Sequence, residues 1–317
     1  MTTYAILGTG ALGGLYGGLL ARAGREVHFL LRSDYDFVRE HGLRIDTILG
    51  DFHLQTPHIY ADPAELPQVD VVIVAWKTTG NEALPAALQS VCHAQTLVLV
   101  LQNGLGVEQA AADIVGADQV LGGCCFLCCN KVGPGHVRHL DYGRITFGEI
   151  SERYSGQITE RMLRLAEDFQ AAGIDMQPAS DFTAVRWRKL AWNIPFNGLS
   201  VALDADTQQV MNDPAASQLA EDLMFEVRAA AIACGSTVDE SDIRKMLDDT
   251  RNMVPYDSSM RLDYLAGRPI EVEAIFGNPL KAARAAGYQP AKIDMLYQQL
   301  RFLDARNRRQ AKSTVAS

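Results

Sequence analysis

The chain has 317 residues, of which 48% are hydrophobic and 21% charged, with a formal net charge of -9. At just above the roughly 250–300 residues beyond which a single core stops growing, it is expected to fold as two domains. Its composition is that of an ordinary globular protein, and no stretch is dominated by Lys and Arg, which argues against nucleic acid as a partner. Exposed charges are screened beyond roughly 8–10 Å at physiological ionic strength, so an anionic substrate would have to meet local cations.

The N-terminus runs Met1-Thr2-Thr3-Tyr4 straight into an apolar strand, without the basic start and cleavage site of a secretory signal. No apolar run reaches the roughly 18 residues that a membrane span requires. Four of the six cysteines are crowded at Cys124, Cys125, Cys128 and Cys129, a spacing unlike a disulfide framework. These features point to a cytoplasmic protein with no membrane partner. The cysteine run reads as a buried strand in which Cys serves as a small hydrophobe. It lacks the separated ligand pairs of a zinc centre, so no metal is expected.

The first half alternates short apolar runs with amphipathic stretches, the pattern of a parallel sheet covered by helices. Tyr4 to Leu7 is the first strand. A glycine turn and a small-residue helix through about Ala23 follow, and Glu26 to Leu31 is the second strand. Further strands are expected at Val69 to Ala75, Leu97 to Leu101 and Gln119 to Leu127, uninterrupted Val/Ile/Leu runs that are buried on both faces. From His136 to Phe147 two short strands are expected around a hairpin turn at Asp141-Tyr142-Gly143, with the sheet mixed at that edge.

After Gln177-Pro178 long periodic segments rich in Ala, Leu, Arg and Glu take over. Pro214 to Cys234, Ser241 to Met253, Val272 to Ala286 and Ala291 to Asp304 have the lengths and apolar spacings of packed helices. The expected architecture is an α/β Rossmann-type N-terminal domain, residues 1–179, and an all-α C-terminal domain, residues 180–317. The polar tail after about Asn307 is expected to be disordered. The apolar helices would serve a second copy or their own domain equally well, which leaves a homodimer open.

The turn Gly8-Thr9-Gly10-Ala11-Leu12-Gly13 fits G-x-G-x-x-G between a strand and a helix, the context of a dinucleotide site. Gly8 permits the tight turn, Gly10 lets the backbone approach the pyrophosphate, and Gly13 allows close packing. The helix N-terminus supplies N–H groups for phosphate. The second strand ends at Arg32-Ser33, a cation where a 2′-phosphate would sit, so NADP(H) is expected, with Ser33 an extra donor; Asp34 and Asp36 close behind are the contrary signal. Two further strand ends carry Lys77, suited to phosphate or ribose, and Asn103, whose amide offers both donor and acceptor to nicotinamide and substrate.

In the helical half, Lys189, Asn193 and Asn197 recur every four residues within Trp187-Arg188-Lys189-Leu190-Ala191-Trp192-Asn193-Ile194-Pro195-Phe196-Asn197. They share one helix face, and burying such a polar stripe requires partners. At this point the chain resembles the ketopantoate reductase (2-dehydropantoate 2-reductase) family. The resemblance rests on G-x-G-A-L-G, a strand-end Lys, N-G-L-G, W-R-K-L-x-x-N-x-x-x-N, and S-S-M with a later Glu, and covers nearly the whole chain, to about Leu303.

That resemblance implies substrate held between the two domains and NADPH as hydride donor to the C2 ketone of ketopantoate, a step of pantothenate and coenzyme A biosynthesis. It implies Lys189 as the catalytic proton donor, with Glu271 near cofactor and substrate. Asn193, Asn197 and Ser259 match substrate-binding positions, while Arg32, Lys77 and Asn103 match nucleotide and active-site positions. The chain departs from the family pattern at three places. Pro195 is expected to kink the helix and re-aim Asn197. Asn81 stands near a position where many relatives place glutamine, and Asp206 or Thr207 near one where some carry another asparagine. The alternatives are a paralogous reductase of another 2-keto acid or imine, and a non-catalytic NADP-binding sensor.

Overall fold

The computed structural model describes residues 1–315, with side chains through residue 310. Two compact units partition the chain: Met1–Gln102 with Val107–Phe182, and Asn103–Gly106 with Thr183–Ser317.

The first unit is a ten-stranded mixed sheet. Its strands are β1 (Thr3–Leu7), β2 (Glu26–Leu30), β3 (Leu43–Thr47), β4 (Phe52–Leu54), β5 (His58–Tyr60), β6 (Val71–Val74), β7 (Leu97–Val100), β8 (Val120–Gly133), β9 (His136–Glu149) and β10 (Met176–Pro178). The path runs β4-β3-β9-β8-β7-β6-β1-β2-β5, and β10 pairs with β9. Its parallel heart is β7-β6-β1-β2, in which β6 and β7 are uninterrupted apolar runs, with Ile6, Val72, Ile73, Val98 and Leu99 fully buried. Interspersed are α1 (Ala11–Arg22), α2 (Tyr35–His41), α3 (Leu84–Val91), α4 (Gln109–Val115) and α5 (Glu160–Ala171).

The expected hairpin at Asp141-Tyr142-Gly143 is corrected by the structure. There β9 is one strand of 14 residues, and the chain reverses between Gly133 and His136 instead. Phe126 faces Arg144 and Leu127 faces Tyr142, so Gly143 is an extra residue in a β-bulge. Positive φ at Tyr142 (61°) and Gly143 (127°) gave the sequence its turn-like look. Nor is the antiparallel β8–β9 pair an edge, because β3 adds to β9 in parallel and β4 closes that side.

The second unit is helical: α6 (Phe182–Ala202), α7 (Thr207–Asn212), α8 (Pro214–Ala233), α9 (Glu240–Asn252), α10 (Ser259–Leu265), α11 (Asn278–Ala285) and α12 (Ala291–Val315). The segment expected as one helix from Val272 to Ala286 begins with a π-helical turn, Glu273–Gly277, before α11. Trp187, Ile194, Phe196, Met224, Phe276 and Leu300 belong to its core. α12 continues past Asn307, where order was expected to end; residues 316–317 lie outside the described residues. Among the described residues, no helix is long and apolar enough to cross a membrane.

α6 runs unbroken through Pro195. An interior proline costs about 3 kcal/mol. Its neighbours Ile194 and Phe196 are fully buried, and each such side chain contributes roughly 1.5–3 kcal/mol, enough to hold the helix together.

Candidate active site

In the first unit, β1 lies between β6 and β2 in parallel register. Lys77 after β6, the glycine turn after β1 and Arg32 after β2 therefore emerge on one edge of the sheet, at the carboxyl ends of its strands, where ligands of such folds bind. Each glycine of the turn has a separate physical reason. Gly8 has φ +101°, and a Cβ there would meet the Trp76 backbone N at 2.6 Å. A Cβ at Gly13 would lie 2.2 Å from the Gly8 carbonyl oxygen, so α1 can approach β1 only without a side chain. Above Gly10 there is open space. Gly10 is also the N-cap of α1 and provides no side-chain cap. The first helical N–H groups of α1 thus face a free volume, an arrangement that suits a phosphate. Thr9 is spent on the fold: its N–H and its hydroxyl both donate to the Leu30 carbonyl, at 3.3 and 3.0 Å. Ala11 and Leu12 are half-buried in the first turn of α1.

Arg32 is exposed, and its guanidinium reaches the turn Thr78–Ala83, since a Cβ on Gly80 would be 3.6 Å from Nη1. Lys77 is exposed at the start of the same turn. Asp34, two residues after Arg32, is buried and engaged. Both of its oxygens lie 2.6 Å from Lys131 Nζ, and it accepts from the Gly135 N–H at 2.9 Å and the Ser33 hydroxyl at 3.0 Å. Burial would raise its carboxyl, but these donors hold it below the usual carboxylate range. Ser33, expected as a donor to phosphate, has committed its only proton to Asp34. A cation in the open, an acid already neutralised and a free volume over Gly10 fit NADP(H).

Asn81 holds the strand ends together. Its Oδ1 accepts from Trp76 Nε1 at 3.1 Å and from Gln102 Nε2 at 2.7 Å, tying the end of β6 to the second residue after β7.

Asn103 follows β7 in the chain, yet residues 103–106 belong with the helical unit. Leu105 N–H donates to the Ala274 carbonyl at 2.9 Å, and Asn278 Nδ2 donates to the Leu105 carbonyl at 2.8 Å. Gly104 has φ +118°, and a Cβ there would stand 2.4 Å from the Ala274 oxygen. This packing sets Asn103 beside the π-helical turn that begins two residues after Glu271. Its Oδ1 is buried and has no hydrogen-bond partner. Orphaned buried acceptors are rare in folded proteins, and a ligand N–H or O–H would satisfy this one.

α6 presents Lys189, Asn193 and Asn197 along one face, buried at 8%, 6% and 3% exposure, and Glu271 is buried at 8%. Two charged and two amide side chains are thereby removed from water in the helical unit, a cost that function commonly explains. Ser259 is the exposed first residue of α10. Its neighbour Ser258 is buried, caps α10 by accepting from the Arg261 N–H, and lies 2.7 Å from Ser200 Oγ. The sequence reading missed Ser200 and Ser258, although Ser200 stands three residues beyond Asn197 and prolongs the α6 stripe. Asp206 and Thr207 serve the fold: Asp206 and Gln209 form a capping box on α7, and Thr207 exchanges hydrogen bonds with the Tyr256 backbone.

The cysteine run lies on β8 with all four residues buried. Burial pushes the Cys128 thiol up to about 11 and the Cys129 thiol up to about 12. Among the described residues, no group of three or more His, Cys, Asp or Glu could hold a metal ion.

Residues 4–152 match the family model "Ketopantoate reductase PanE/ApbA", and residues 181–304 match "Ketopantoate reductase PanE/ApbA C terminal". The chain belongs to the ketopantoate reductase family. A 2-dehydropantoate 2-reductase from Nostoc sp. is 51% identical over 306 residues, covering 96% of each chain. A crystal structure of 2-dehydropantoate 2-reductase from Geobacter metallireducens superposes with TM-score 0.91 at 39% identity, covering 94% of this chain and 99% of that one. A ternary structure of D-mandelate dehydrogenase with NADH and anilino(oxo)acetate shares the fold alone: TM-score 0.89 at 21% identity, covering 96% and 99%. The ketopantoate reductase fold thus accounts for both units of this chain.

Proposed function

We propose that the protein is a cytoplasmic 2-dehydropantoate 2-reductase, reducing the C2 ketone of ketopantoate to the alcohol of pantoate with NADPH, in the biosynthesis of pantothenate. The observation that carries this reading is the buried Lys189/Asn193/Asn197 face of α6, in a chain whose similarity to an enzyme of that name spans 96% of its length. The domain assignment follows: residues 1–179 hold the nucleotide and residues 180–317 carry the keto-acid chemistry.

The glycine turn receives the pyrophosphate on the N–H groups of Ala11, Leu12 and Gly13, and Arg32 takes the 2′-phosphate, with Lys77 adding charge at the neighbouring strand end. NADPH, when bound, supplies the hydride that adds to C2 of the keto acid. That addition builds negative charge on the carbonyl oxygen. The Lys189 ammonium stabilises this charge and delivers the proton that completes the alcohol, and the neutral amine regains its proton from solvent. Asn193, Asn197 and Ser259 orient the keto acid through hydrogen bonds. Asn103 turns its unpartnered Oδ1 to a ligand N–H or O–H, and Glu271 accepts from the hydroxyl.

The test is NADPH consumption with ketopantoate beside a panel of other 2-keto acids, read as kcat/KM. A ketopantoate value well above the rest supports the assignment, and a different preferred acid replaces it with a paralogous activity. Lys189→Ala is expected to lower kcat by roughly 10²–10⁴ while NADPH still binds. Leu203, Met295 and Phe302 are exposed apolar side chains along one groove of the helical unit and favour a homodimer, which light scattering reads directly.

A further inference from the structure

We propose that Lys131 is a specificity-determining residue for the cofactor: by holding the Asp34 carboxylate in a neutralised pair, it removes the acid that would otherwise favour NAD(H) and repel a 2′-phosphate. The inference rests on the NADPH reading above.

In a nucleotide-binding βαβ unit, an acidic side chain shortly after the second strand bonds the ribose hydroxyls of NAD, whereas a cation there accepts the phosphate of NADP. This chain carries both signals within three residues, Arg32 and Asp34. Left to itself, the carboxylate would compete with the arginine. It is not left to itself. Lys131 comes from β8, 97 residues further along the chain, and contacts both carboxylate oxygens at 2.6 Å. The tip of the β8–β9 hairpin adds the Gly135 N–H at 2.9 Å. Gly135 is itself wedged in place, since a Cβ on it would lie 2.9 Å from Val38 Cγ2 of α2.

Two effects follow. The pair cancels a full negative charge two residues after Arg32, a charge that would otherwise oppose a phosphate arriving at that strand end. The donors also consume the oxygen lone pairs that a ribose diol would need, so the acid is lost as an NAD ligand as well. Arg32 then sets the preference alone. Lys131 acts through Asp34 and is a positioning residue.

The test measures binding of 2′,5′-ADP and 5′-AMP to the intact protein by calorimetry, which reads the phosphate preference without turnover. In Lys131→Met the ratio of 2′,5′-ADP to 5′-AMP affinity is expected to fall roughly five- to tenfold, the effect of one restored charge at partly screened range. Lys131→Arg retains the cation and should keep most of the ratio. The deciding variant is the double substitution Lys131→Met with Asp34→Asn, in which no charge remains to be neutralised and the ratio should return towards wild type. Failure of Asp34→Asn to rescue would mean that Lys131 contacts the phosphate directly, and it overturns the proposal, as does an unchanged ratio in Lys131→Met. A wild-type protein that binds the two ligands equally would instead overturn the NADP reading from which the proposal starts.

Discussion

The hydroxyls of Ser200 and Ser258 lie 2.7 Å apart, both buried, and join the helix of the asparagine stripe to the first turn of α10. Each hydroxyl has one proton, which gives the chain a direction. Arg261 N–H donates to Ser258, Ser258 donates to Ser200, and Ser200 donates to the Asn197 carbonyl at 3.1 Å. Ser259 follows directly on Ser258, so the relay ties Ser259 to Asn197.

Ser258→Ala removes the cap of α10 and takes from the Ser200 oxygen the hydrogen bond it accepts, leaving Ser200 its bond to the Asn197 carbonyl. The expected loss is about 1–3 kcal/mol, larger than for Ser200→Ala. Urea unfolding measures the stability. If the relay serves the substrate, KM for the keto acid should rise more than kcat falls; equal KM values in both variants and wild type would reduce it to a structural device.

Gly10 and Gly13 should respond oppositely to alanine. Gly13→Ala forces a Cβ to within 2.2 Å of the Gly8 oxygen, an overpacking expected to cost roughly 1–3 kcal/mol or more. Gly10→Ala meets no atom of the protein, so the fold should keep its thermal midpoint while NADPH affinity drops, because the methyl occupies the volume over α1. Thermal melts with and without NADPH separate the two.

His28 makes stability depend on pH. Burial lowers its pKa below the ordinary 6.5, against the opposing pull of Glu26. The folded state therefore binds a proton less readily than the unfolded chain. Its contribution is fully present above pH 6.5 and declines as pH falls through the lower, folded value. Urea midpoints between pH 7.5 and 5 should fall less steeply in His28→Gln than in wild type. A steeper fall in the variant would reverse the sign.

Cys128 and Cys129 should be slow towards thiol reagents. With their thiols pushed up to about 11 and about 12 from an ordinary 9.0, the thiolate fraction at pH 8 is lower by on the order of a hundredfold or more. A chromogenic disulfide should modify them only upon unfolding, and peptide mapping of the native protein identifies any exception.

Local patterning was enough to specify the parallel heart of the sheet, the glycine turn and the helical half, because those elements declare themselves over a few residues: apolar runs, glycines at fixed spacing, polar residues four apart. The Asp141-Tyr142-Gly143 segment misled for the same reason. A turn and a bulge use the same positive-φ residues, and only the partner strand distinguishes them. α6 stays continuous through Pro195, since the cost of a proline is local while the burial of Ile194 and Phe196 that offsets it is not.

Gly8 to Gly13, Arg32 and the Lys189/Asn193/Asn197 spacing could be read along the chain because each answers a requirement of its own neighbourhood. Tertiary structure alone could neutralise Asp34 with a lysine 97 residues away, give Asn81 to Gln102, bond Leu105 to Ala274, and bring Ser200 to Ser258. Those pairings depend on which strands and helices become neighbours, a long-range outcome of burying apolar faces that no short stretch of sequence encodes.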